Sequence, residues 1–92
     1  MKIKVENLHM VNNKKSKVKM FCTVRLEGIC VNDVKLIASD GKRWVAMPTR
    51  AYEKDGETNY SNVVFIDDED LREEVSEKVL AAYEKEVSKN DN

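Results

Sequence analysis

An α+β domain, with an antiparallel sheet first and a helix last, is predicted by three patterns in the sequence. Apolar and polar residues alternate with period two through the first half. Glycine-containing turn dipeptides separate the alternating stretches. A single apolar stripe of helical period occupies the last quarter. The chain has 92 residues, 41% hydrophobic and 36% charged, which suits one small domain. A chain of this size buries only about 60–65% of its unfolded surface, so pairing with a second copy would stabilise it. Residues 1–89 are assigned to that domain and residues 90–92 to a frayed C-terminal tail.

The first element runs through residues 2–11. Ile3 and Val5 share one parity and Leu8 and Met10 the other, which predicts a strand with a bulge near Glu6-Asn7. The polar run from Asn12 to Ser16 is a turn. Val18, Met20, Cys22, Val24 and Leu26 then share one parity and predict the longest core-facing strand, with Lys17, Lys19, Phe21, Thr23 and Arg25 on its other face. Glu27-Gly28 turns the chain into a third strand over residues 29–39, with Val34, Leu36 and Ala38 on one face. Asp40-Gly41 leads into a fourth over residues 43–47, closed by Pro48, which has no N–H to offer a neighbour. Residues 49–59 are polar and read as a loop. Val63-Val64-Phe65-Ile66 fits either a fifth strand or an extended lead-in. A helix follows, capped by Asp67 or Asp68, with Leu71, Val75, Val79, Ala82, Tyr83 and Val87 forming its apolar stripe. The expected architecture is an antiparallel sheet of four to five strands followed by a C-terminal amphipathic helix. One helix covers one sheet face, so the other would present Phe21, Ile37 and Trp44 or Val45. That patch predicts a homodimer or a surface on which bases stack.

Several classes of function find no support in the residues. No apolar run approaches the roughly 18 residues that span a bilayer, and the lysine-rich start lacks a secretory apolar stretch, so a cytoplasmic protein is expected. Cys22 and Cys30 with the lone His9 give neither a disulfide framework nor a metal-ligand spacing. Reduced thiols are expected. A nucleophile needs a base beside it, and nothing places His9 near either thiol. The acidic run Asp67-Asp68-Glu69-Asp70 is explained by helix capping without a cation. No phosphate-cradling glycine loop is present. Neither an enzyme nor a cofactor or small-molecule substrate is expected.

Charge is unevenly distributed. Residues 1–50 hold eleven cations against four carboxylates, a surplus of seven. Residues 51–92 hold five against thirteen, a deficit of eight. The basic half either attracts a polyanion or is matched by the acidic half. Within it, Lys42, Arg43 and Arg50 surround Trp44, with Lys54 close by in sequence. Cations neutralise phosphates, and an exposed aromatic stacks on unpaired bases. For Trp44 itself a core position is the favoured expectation, since tryptophan is more often buried than exposed to a ligand. Lys17, Lys19 and Arg25 form a second basic row, suited to a phosphate backbone or to solubility alone.

The stretch from Val18 to Arg50, above all Trp44-Val45-Ala46-Met47-Pro48-Thr49-Arg50, resembles the bacterial SpoVG family, the stage V sporulation protein G or septation-regulator proteins. Asp40-Gly41, Asp55-Gly56-Glu57 and Tyr60 match further positions of the pattern, as do Arg72, Val79, Leu80 and Tyr83 in the closing helix. The chain departs from the pattern in two places. Val63 to Asp67 stands where the family carries a His-Pro segment, and His9-Met10 stands where it carries paired arginines. The resemblance implies a small α+β homodimer that binds DNA or RNA in the cytoplasm and acts in septation, sporulation and gene-expression control. Under that reading Lys42, Arg43, Arg50 and Lys54 contact phosphates. The alternative is a protein-interaction module working through its acidic helix or its apolar sheet face.

Overall fold

The computed structural model describes residues 2–90. Strands β1 (Ile3–Met10), β2 (Val18–Leu26), β3 (Ile29–Ser39) and β4 (Lys42–Ala46) form one antiparallel sheet in the order β1-β2-β3-β4. Two-residue turns at Glu27-Gly28 and Asp40-Gly41 join the last three, with both residues of each turn at positive φ. That conformation matches the natural twist of paired strands. Strands β5 (Thr49–Lys54) and β6 (Glu57–Asn62) make a separate hairpin, and helix α1 (Glu69–Asn90) closes the chain. The helix runs on to Asn90, and the rest of the expected tail, residues 91–92, lies outside the described residues.

Helix α1 lies across one sheet face and touches both edge strands, β1 and β4. The core between them contains Met20, Cys22, Val24 and Leu26 of β2, Val31, Val34 and Leu36 of β3, Ile66, and Val75 and Val79 of the helix. The residues expected on the core face of β2 are there except Val18. An extra β2 residue intervenes between the Val18–Ile37 and Met20–Leu36 pairs, so Val18 shifts to the row of Ile37 and Trp44. The bulge expected in β1 is present between Glu6 and His9, where Asn7 adopts a φ of 53°. It lets Ile3, Val5, Leu8 and Met10 all pack against the core despite their change of parity. A third irregularity was not anticipated. Strand β3 carries one extra residue between Val31 and Val34, with Asp33 at a φ of 60°.

Residues 49–59 are not a loop. They pair across Asp55-Gly56 as β5 and β6, from Thr49–Asn62 to Lys54–Glu57. Their side chains are polar on both faces, so the alternation that marks a core strand is missing. The hairpin packs on itself, and its base is closed by the Val63 N–H donating to the Pro48 carbonyl at 3.1 Å. Residues 63–68 are an irregular lead-in, bent at Val63-Val64, rather than a fifth strand of the main sheet. Arg72 secures it. Its Nη1 donates to the Ile66 carbonyl at 2.9 Å, and its guanidinium carbon lies 5.6 Å from the Phe65 ring centre. Asp68 is the cap, its Oδ1 accepting the Leu71 N–H at 3.1 Å. Among the described residues no helix is long and apolar enough to cross a membrane.

Candidate nucleic-acid interface

Strand parity distributes the four candidate cations. Lys42 pairs with Ser39 and Trp44 with Ile37, which puts both on the open face of the sheet, away from the helix. Arg43 has the parity of Val45 and therefore faces the helix. There its Nη2 donates to Glu84 Oε1 at 2.9 Å. Arg50 and Lys54 lie beyond Pro48 on the separate hairpin. The structure thus brings Arg50 and Lys54 onto one element and divides Lys42 from Arg43 across the sheet.

On β5, Arg50, Tyr52 and Lys54 share a face, opposite Ser61, Asn59 and Glu57 of β6. Alternate residues of a strand advance about 6.6–6.8 Å, so the two cations flank the phenol ring at one residue-pair step on either side. Tyr52 is 44% exposed, and Arg50 and Lys54 are exposed with it. A cation–aromatic–cation row with amide and hydroxyl neighbours, and one carboxylate, Glu57, across from Lys54, can neutralise phosphates and stack a base. Tyr52, Asn59 and Ser61 were missed in the sequence because the segment read as loop. The Asp55-Gly56 dipeptide was the signal that pairs them.

The second basic row is broken. Lys19 Nζ donates to the Ser16 carbonyl at 2.6 Å, which turns it toward its own turn. The Arg25 guanidinium donates to Glu6 and, with Lys4 3.6 Å away, holds that carboxyl below its usual range. Trp44 is 44% exposed at the edge strand, which leaves it outside the core. Cys22 is buried and Cys30 exposed, both unpaired. Among the described residues no group of three or more His, Cys, Asp or Glu side chains could hold a metal ion.

No curated protein and no solved structure matches the chain. A family match does exist, and it spans residues 1–85, from β1 through most of α1, including all four candidate cations and the hairpin row. By that coverage the chain belongs to the SpoVG family.

Proposed function

We propose that the protein is a nucleic-acid-binding regulator of the SpoVG type, working as a homodimer in the cytoplasm on septation, sporulation and gene-expression control, with no catalytic step and no cofactor. The observation that carries this reading is the exposed Arg50-Tyr52-Lys54 row on the hairpin, supported by family membership and the basic first half. Lys42 adds a cation on the open sheet face. Arg43 contributes to a polyanion only by giving up Glu84, so its net effect is smaller.

What the hairpin leaves uncovered supports the homodimer. A lone two-stranded hairpin is marginal in water. Tyr60 (69%), Val63 (60%) and Phe65 (60%) stand exposed on it and just after it. A second copy meeting these residues would bury them and bring two basic rows onto one scaffold, which steepens the salt dependence of binding.

The test is substitution on the row. Arg50→Ala with Lys54→Ala weakens binding to all sequences and lowers the salt slope by roughly 0.7–0.9 per cation removed. Arg43→Ala weakens it less. Unchanged affinity and slope in the double variant, with the far-UV spectrum intact, would refute the assignment.

The interaction-module reading keeps one observation in its favour. A groove of about 450 Å³ runs between β4 and α1, lined by Val45 and Leu80 and rimmed by Arg43, Arg72, Glu73 and Glu77. A peptide carrying both charges would suit it.

A further inference from the structure

The open face of the sheet is not flat. A hollow of about 290 Å³ opens on it, lined by Asn7, His9, Phe21, Cys22, Thr23, Asn32 and Asp33. Two bulges create it. The extra residue of β1 falls between the Glu6–Thr23 and His9–Phe21 pairs, and that of β3 between the Cys22–Val34 and Val24–Val31 pairs. Both neighbours of β2 therefore bow out at the same level, around Cys22 and Thr23. Each bulge turns on a residue at positive φ, Asn7 at 53° and Asp33 at 60°, and Asn and Asp tolerate that conformation best after glycine. Bulges concentrate where a sheet re-aims side chains toward a site.

The chemistry of the hollow is specific. Thr23 belongs to the face opposite the core, yet it is only 5% exposed, and its Oγ1 donates to Asn32 Oδ1 at 3.0 Å. Cys30 Sγ also donates to that oxygen, at 3.9 Å, so the amide oxygen of Asn32 is engaged twice and its two N–H donors are left for something else. Phe21 is half-buried between His9 and Lys35 in adjacent strands. Asp33 supplies a carboxylate, which can only accept. Lys35 stands on one side along the face, and Arg25, held by Glu6, on the other. The site thus combines an aromatic ring, amide donors and acceptors and a carboxylate with cations at its margins. Its volume lies just below the roughly 300–1,000 Å³ of sites that take drug-sized molecules, so it suits a single small planar group.

We propose that this hollow accepts one unpaired nucleobase, stacked on Phe21 and hydrogen-bonded by Asn7, Asn32 and Asp33, while Lys35 meets a flanking phosphate. This deepens the nucleic-acid reading and rests on it. The occupant is a base because a peptide strand adds to a sheet through edge hydrogen bonds, whereas bases stack on a sheet face that bears an aromatic ring. The Asp33 carboxylate accepts from an exocyclic amine, so bases that carry one (adenine, cytosine, guanine) are favoured over thymine or uracil, and single strands over duplex.

The test is anisotropy of labelled dA12, dC12 and dT12 and of a mixed-sequence duplex at near-physiological salt, with the wild type, Asp33→Asn and Phe21→Leu. Asparagine tolerates the φ of Asp33, so that variant keeps the bulge. The wild type is expected to bind dC12 and dA12 roughly five- to 100-fold more tightly than dT12. Asp33→Asn should erase that preference. Phe21→Leu should weaken every single strand and leave the duplex unchanged. Equal affinity for the three oligomers, unmoved by either variant while Arg50→Ala with Lys54→Ala still weakens binding, would overturn the base site and leave the regulator reading standing. Absence of binding to any polymer would overturn both.

Discussion

Cys22 and Cys30 sit on the two arms of one hairpin in opposite chemical settings. Cys22 is 2% exposed, and burial pushes its thiol up to about 11. Cys30 is exposed beside Arg25. Because the thiolate is the nucleophile, a disulfide reagent near pH 8 should modify one thiol per chain quickly and the second only after denaturation. Equal rates for both would contradict the packing of β2. Arg43 teaches a related lesson in legibility. That it is basic is plain in the sequence, and that it faces the helix follows from its sharing the parity of Val45. Its partner was hidden, because Glu84 is one of several helix carboxylates and only the crossing of α1 over β4 selects it. Asn32 and Asp33 were similarly hidden. The β1 bulge showed as a parity change, but the one in β3 did not, since Val34, Leu36 and Ala38 keep one parity and Val31 joins them only through the extra residue.

At the scale of elements, what could be read was whatever is partitioned between core and water. β2 and β3 alternate strongly because the helix covers one of their faces, and α1 shows its stripe for the same reason. The β5–β6 hairpin has no covered face, so its order comes from the backbone ladder and the Asp55-Gly56 turn, where Asp55 is at a φ of 54° and Gly56 at 77°. The helix start is set by Asp68, not by its neighbour Asp67. Asp68→Ala should therefore lower stability by about 1 kcal/mol, since the Leu71 N–H loses its acceptor, while Asp67→Ala changes little. Urea denaturation of the two variants measures this. Equal effects at the two positions would show that the charge of the acidic run, rather than the cap, starts the helix.

For the whole molecule, the sequence's division of charge becomes a division of faces. The acidic helix covers one side of the sheet. Lys4, Arg25, Lys35 and Lys42 follow the register of the other side, where Glu6 meets the first two, and Arg50 and Lys54 share one face of the separate hairpin. Arg43 lies on the helix side, where Glu84 meets it. A polyanion approaching such a molecule is drawn to the open face and repelled from the helix, although the net charge is only −1. Screening shortens that field to about 8 Å at physiological salt, so lasting attachment depends on direct contacts rather than on the field alone. The most direct measurement is a titration of labelled single- and double-stranded DNA and RNA with the purified protein at about 50 and 150 mM salt, read by fluorescence anisotropy. Saturable binding that persists at the higher salt, with affinity falling linearly on a log–log scale, is the predicted result. Binding confined to the low-salt titration for all four polymers would contradict the regulator reading.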